Sequence, residues 1–121
     1  MKEISLYIRP EDFSKVVGIL RKNNVGGITF FETNGSGRKK HEPVPERVRA
    51  YMTGKMVTPE FVKGTKVEVI VPDSSADQIV EDILDNLSQD TVSHGMIFVK
   101  DVSGAYEIGT KLKGESVLTP K

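Results

Sequence analysis

The chain carries one pattern twice, and that repetition limits what it can fold into. Ile4, Leu6 and Ile8 alternate with Ser5, Tyr7 and Arg9, the mark of a strand buried on one face. Pro10, Glu11 and Asp12 follow, and then Phe13, Val16, Val17 and Leu20 at helical spacing. The second half repeats the order. Val67, Val69 and Val71 alternate, Pro72 and Asp73 follow, and Ala76, Ile79, Val80, Ile83, Leu84 and Leu87 keep helical spacing. A proline suits a helix's first turn, where its missing N–H has no intrahelical partner, and acids suit the positive end of the helix dipole. Asp73 or a neighbouring serine is the expected cap of the second helix. Each helix leads on to a further strand. The first does so through Asn23, Asn24, Gly26 and Gly27 to residues 28–32, the second through Ser93, His94 and Gly95 to residues 96–99.

Two strand–helix–strand units predict an α+β fold, the ferredoxin-like βαββαβ sandwich, with four antiparallel strands and both helices on one face. Its 121 residues form one domain, 1–121, long enough to bury a real core. The face without helices is bare. Subject to strand register, Tyr7, Thr29, Phe31, Ile70, Ile97 and Val99 are assigned to it. An apolar face of that size needs cover, and the expected cover is another copy of the chain.

Between the two units lies a stretch with neither period. Strand 28–32 passes through Asn34-Gly35-Ser36-Gly37-Arg38-Lys39-Lys40 into a polar segment and returns as a strand at 66–71, so the predicted loop is about 37–63. Structureless connections beyond ~12–15 residues are uncommon inside a compact domain and are usually functional or disordered. Gly35-Ser36-Gly37-Arg38 has two readings. It is a plain flexible turn, or an anion cradle in which glycines admit backbone N–H groups and arginine adds charged donors. The Walker and dinucleotide patterns are both missing, since no helix follows. Arg38, Lys39, Lys40, Arg47, Arg49, Lys55 and Lys63 outnumber Glu42, Glu46 and Glu60. The loop is either a solvated segment or a docking arm anchored by Tyr51-Met52, Met56-Val57 and Phe61-Val62. His94 is an exposed turn residue or a ligand contact. Residues 104–121, with Gly109, Gly114 and Pro120, read as a weakly structured tail. In it Lys111 and Lys113 alternate as extended residues do, either as charged surface or as reach toward a subunit boundary.

Composition closes off several function classes. Lysine plus arginine equals aspartate plus glutamate, 17 each, so no global field gathers nucleic acid or anionic membrane. No cysteine is present, which excludes disulfides, thiolate catalysis and cysteine zinc sites. There is no Gly-x-Ser-x-Gly elbow, the segment after the first strand is too acidic for a phosphate loop, and Phe31 and Phe98 do not form an RNA-recognition motif. Enzyme readings therefore find no constellation to stand on. No apolar run approaches the ~20 residues of a membrane span. Met1 leads straight into a strand pattern with no secretory leader, so the expected location is cytoplasmic.

Five segments, taken in order, carry a family resemblance: the opening strand with Pro10; Gly27-Ile28-Thr29 with Asn34-Gly35-Ser36-Gly37-Arg38; Tyr51-Met52; Glu68-Val69-Ile70-Val71-Pro72-Asp73; and Gly95-Met96-Ile97-Phe98-Val99 before Asp101-Val102. Together they resemble the PII signal-transduction family, the nitrogen regulatory proteins. The resemblance implies a homotrimer with three intersubunit clefts that bind ATP or ADP. It also implies a long T-loop that docks on an ammonium-type transporter or a metabolic enzyme. By position, Thr29 would lie near the adenine, and Gly35, Gly37 and Arg38 at the phosphates and loop base. The turn Ser93-His94-Gly95 would face the phosphates. Arg47, Arg49 and Tyr51 become the partner-facing candidates.

Departures from the family pattern shape the expectation. The glutamine that usually follows the arginine is Lys39, which puts a cation where a metal-ligand oxygen belongs and disfavours the Mg²⁺ and 2-oxoglutarate mode. The family's phosphate lysine is replaced by Met96. Its lysine before the third strand falls on Gly64, with Lys63 one place off. Its two tail arginines are absent, with Lys111 and Lys113 as shifted stand-ins that lack bidentate geometry. Weakened or altered nucleotide binding is expected. The alternative is a trimeric ferredoxin-like interaction scaffold that no longer senses nucleotide.

Overall fold

A computed structural model describes residues 1–35, 62–87 and 95–120 of the chain. Strand β1 (Lys2–Ile8) opens the fold, and a 3-10 turn at Pro10–Asp12 leads into helix α1 (Phe13–Lys22). Strands β2 (Thr29–Gly35) and β3 (Val62–Val71) come next, then helix α2 (Asp73–Leu87) and strand β4 (Gly95–Asp101). The sheet is antiparallel in the order β2-β3-β1-β4, which is the ferredoxin-like topology the repeat predicted.

Pairing decides which side chains share a face. Ile4 lies opposite Val69 and Val99, and Leu6 opposite Val67 and Ile97. Phe30 lies opposite Val67. This is the helix-covered face, where Ile4, Leu6, Val67, Val69 and Val71 pack with Val16 and Leu20 of α1 and Ile79 and Ile83 of α2. Each of these side chains contributes about 1.5–3 kcal/mol by leaving water. Phe13 extends the layer outward, its ring 4.6 Å from that of Phe30.

Polar groups then fix how the two helices sit. Asn23 Nδ2 donates to the Ile19 carbonyl at 2.9 Å, closing the end of α1, and to Asp82 Oδ2 of α2 at 3.0 Å. Gln78 Nε2 donates to the other oxygen, Asp82 Oδ1, at 2.9 Å. Asn24 completes the exit with a left-handed backbone, φ 61°, a conformation asparagine tolerates better than most residues.

Several expectations are corrected. β3 starts at Val62 rather than 66, so Lys63, placed at the end of the predicted loop, belongs to the strand, as does Gly64. The four-residue ladder Glu32–Gly35 opposite Val62–Thr65 extends the hairpin through a stretch with no apolar alternation to betray it. Ile97 and Val99 lie on the helix side, and Met96 and Phe98 take the bare side. Residues 96–99 are all apolar, so their period does not choose a face, and a one-residue slip exchanges them all. Pro10–Asp12 is 3-10 rather than α, held by Asp12 N–H to the Arg9 carbonyl at 3.0 Å and Arg9 Nε to Asp12 Oδ2 at 3.0 Å. Asp73 is the first helical residue rather than the cap, and its carboxylate sits 3.1 Å from the Met1 amino group. Leu84 is 50% exposed because it falls on the flank of the Ala76, Ile79, Ile83, Leu87 stripe.

Hydrogen bonds from Asn23, and next from Gln78, hold the Asp82 carboxyl below the usual carboxylate range. The fold thus favours the carboxylate. Its contribution is complete above about pH 4, the ordinary aspartate value, and fades as pH falls through the lowered native value. Thermal melts of Asp82→Ala against the parent are expected to differ at neutral pH, with the parent more stable. The difference should shrink steadily as the pH is lowered below the ordinary aspartate value.

Candidate functional site

One end of the sheet collects the residues that the sequence singles out. Glu32 pairs with Thr65, Thr65 with Ile8, and Ile8 with Gly95, so a single row crosses the four strands there. Beyond that row the hairpin continues through Asn34 opposite Lys63 to Gly35 opposite Val62. Both connections, 36–61 and 88–94, leave from this end. Gly35 and Lys63 therefore share an end of the sheet with Gly95, although they lie far apart in sequence.

Gly95 is glycine for two reasons. Its φ is 119°, where L side chains rarely sit, and a Cβ would overlap the Tyr7 carbonyl oxygen, with the Tyr7 carbonyl carbon 2.8 Å away. Gly64 is tighter than ordinary contact allows, its imagined Cβ 3.1 Å from Thr33 Oγ1 and 3.3 Å from the Ile8 carbonyl oxygen. By contrast nothing lies within 4 Å of a Cβ on Gly35. The β1–β4 backbones therefore close up at Gly95, Gly64 packs against the Thr33 hydroxyl of β2 and the Ile8 carbonyl of β1, and Gly35 stands in open space.

Thr29 begins β2 opposite Glu68 and is exposed. It stands six residues from Gly35, about 20 Å at ~3.3 Å per strand residue. The row Thr29–Glu68–Ser5–Phe98 belongs to the uncovered face. The neighbouring row is Phe31–Lys66–Tyr7–Met96. Tyr7, Phe31, Met96 and Phe98 are 38–48% exposed. Tyr7 and Phe98 meet edge to face at 5.8 Å. Lys66 Nζ lies 5.2 Å from the Tyr7 ring centre and 5.4 Å from that of Phe31, and 2.8 Å from Glu68 Oε1. The hydrogen bond to Glu68, and next that with Tyr7, holds the Lys66 ammonium above the usual lysine range. Lys66, Met96 and Phe98 escaped the sequence reading of this face. Lys66 was legible as the alternate of Val67, but its position between two rings depends on β1–β3–β2 register.

The tail is folded. Val102 N–H donates to the Met1 carbonyl at 2.9 Å. A small hairpin follows, with a Tyr106–Lys113 bridge, Gly114 N–H to the Ala105 carbonyl at 2.9 Å and Glu107 N–H to the Leu112 carbonyl at 2.8 Å. Lys111 sits in its turn with φ 62°, so Lys111 and Lys113 are not alternate residues of one extended run. A 3-10 helix, Glu115–Leu118, then returns the chain to the body, where Gly26 N–H donates to the Leu118 carbonyl at 3.3 Å. Both tethers lie at the end of the sheet opposite Gly35 and Gly95, since β1 starts there and α1 finishes there.

Gly37, Arg38, Lys39, Arg47, Arg49, Tyr51 and His94 lie outside the described residues. Of the expected nucleotide contacts, Gly35, Lys63 and Gly95 share one end of the sheet, Thr29 stands higher on β2, and Lys111 and Lys113 belong to the tail tethered at the far end. Among the described residues no helix is long and apolar enough to cross a membrane.

A four-stranded split βαβ sheet with a long β2–β3 connection and a glycine-started last strand defines a class of small α+β proteins. Residues 1–111 match the family described as nitrogen regulatory protein P-II. The Haemophilus influenzae protein named nitrogen regulatory protein P-II is 31% identical over 98% of this chain and 100% of its own length. Nitrogen regulatory protein P-II 2 of Methanothermobacter thermautotrophicus is 30% identical over 98% and 97%. Nitrogen regulatory protein P-II 1 of Escherichia coli strain K12 is 31% identical over 91% and 93%. The chain belongs to the nitrogen regulatory protein P-II family, whose members are signalling regulators and not enzymes.

The two glycines give a contrast that can be measured. Gly95→Ala is expected to cost about 3 kcal/mol or more in urea unfolding, because strain and backbone overlap add. Gly35→Ala should stay within about 1 kcal/mol of the parent.

Proposed function

We propose that this chain is the subunit of a cytoplasmic, homotrimeric regulator. It binds an adenine nucleotide, ATP or ADP, in clefts between copies, and regulates a transporter or a metabolic enzyme through the T-loop. The observation that carries this reading is the separation of its parts. The loop base and Gly95 share one end of the sheet, whereas the lysine-bearing tail is tethered at the other. A site that uses both draws its two halves from different copies. The bare face supplies the means of assembly, since Tyr7, Phe31, Met96 and Phe98 form an apolar surface that a neighbouring copy covers.

In such a cleft Thr29 lies beside the base, and Gly35, Gly37 and Arg38 turn N–H and guanidinium donors to the phosphates. Lys63, His94 and Gly95 are the further contacts proposed from the same copy, and Lys111 and Lys113 come from the neighbour. Lys39 replaces a ligand oxygen with a cation, so the Mg²⁺–2-oxoglutarate mode is not part of the proposal. Nucleotide acts by selecting one loop conformation, which the partner reads through Arg47, Arg49 and Tyr51.

Calorimetric titration with ATP, ADP, AMP and cyclic AMP tests this reading. Micromolar binding that falls about tenfold or more in Arg38→Ala is expected, the loss of one charge-assisted contact. A folded trimer that binds none of them at millimolar concentration would instead be a docking scaffold. Assembly is read separately by sedimentation. Phe98→Asp puts a charge on the bare face, midway along the outer strand β4, and is expected to give monomers that keep the parent's far-ultraviolet spectrum.

A further inference from the structure

The tail does more than end the fold. Its 3-10 helix, Glu115–Leu118, lies beyond the residues 1–111 that match the family. It rests on the turn between α1 and β2. The fit there is close. A Cβ on Gly26 would stand 2.7 Å from the Leu118 oxygen, 3.1 Å from the Thr119 carbonyl carbon and 3.2 Å from the Pro120 nitrogen. Those are all backbone atoms, so nothing at the end of a flexible side chain can swing aside. Next to this seat runs a groove of about 200 Å³, lined by Asn23, Val25, Ile70, Pro72, Leu118 and Thr119. Leu118 is half-buried there, as is Val117 beside it in the chain, while Ile108 and Tyr106 of the hairpin are 95% and 73% exposed.

The segment is thus pinned at two points. The Val102–Met1 bond holds its start, and the Gly26–Leu118 bond with the close backbone contact holds its end. Between the pins stands a hairpin with its own internal ladder, which carries Lys111 and Lys113. A hairpin held at both feet has its direction set by those feet.

We infer that Gly26 is a positioning residue: it seats the 3-10 helix as a latch, and the latch aims the Lys111/Lys113 hairpin at the neighbouring copy. The inference rests on the reading that those lysines serve a nucleotide cleft, but the latch is measurable without any nucleotide. The backbone at Gly26 does not need a positive φ, so Gly26→Ala is barred only by the tail that lies on it. Gly27 is the internal control, because nothing lies within 4 Å of a Cβ there.

The experiment is amide exchange read by mass spectrometry on the full-length protein, comparing Gly26→Ala, Gly27→Ala and Leu118→Ala with the parent. Gly26→Ala and Leu118→Ala are expected to lose protection over residues 105–119 while β1 and β3 keep theirs. Gly27→Ala should match the parent. If the tail stays as protected in both variants as in the parent, the latch is overturned. It is also overturned if Gly27→Ala loosens the tail as much as Gly26→Ala does. Leu118→Ala leaves the turn untouched, so it decides the matter if Gly26→Ala does not fold.

Titration with ATP then reads the aim. With the latch open, affinity is expected to fall about tenfold, the loss of a charged contact, with the core's exchange unchanged. A loosened tail with parental affinity overturns the positioning role, provided that Lys111→Ala/Lys113→Ala lowers affinity. If that double variant also binds as the parent does, it is the nucleotide role of the lysines that fails, and the exchange result alone decides the latch.

Discussion

The pairing of β1 with β3 on one side and β4 on the other is the constraint on which the rest depends. It puts Ile4, Leu6 and Ile8 under the helices, Tyr7 on the bare face and Gly95 against the end of β1. Gly95 makes this pairing possible where the backbones close, since any side chain there would meet the Tyr7 carbonyl. A chain that slipped by one residue at β4 would bring Ile97 and Val99 to the bare face and bury the wrong set. The glycine and the register are therefore one requirement seen from two sides.

Much of this was legible in the sequence. The duplicated strand, proline, acid, helix order predicts the topology because local periods report local structure, and the stripe Ala76, Ile79, Ile83, Leu87 is buried as its spacing demands. What failed to show depends on partners. Residues 96–99 of β4 have no alternation, so their faces are set by the strand's register on β1, from Ile8 opposite Gly95 to Lys2 opposite Asp101. The extra length of β3 is set by β2 lying beside it, and Lys63 and Gly64 carry no apolar signal of their own. The tail looked weakly structured because its glycines suggested turns, and its hairpin and seat on Gly26 arise from contacts distant in sequence.

The candidate site was legible in a different way. Gly35, Lys63 and Gly95 attracted attention as residue types, but only topology brings them to one end of the sheet. Lys66 gives no such signal, because a lysine in an alternating strand reads as ordinary surface. Its place between Tyr7 and Phe31 gives the bare face a charge that stays compatible with apolar cover, with Glu68 as its counter-ion. The face is thus not uniformly apolar.

The sheet order has a mechanical consequence. β2 is an outer strand, bonded along one side to β3, and it is the strand from which the long connection springs. Any force that reaches β2 from that side is resisted by one ladder, while β1, flanked on both sides and packed under two helices, is not asked to move. The edge of the sheet can therefore be strained without its centre being opened, much as a page can be turned without disturbing the spine.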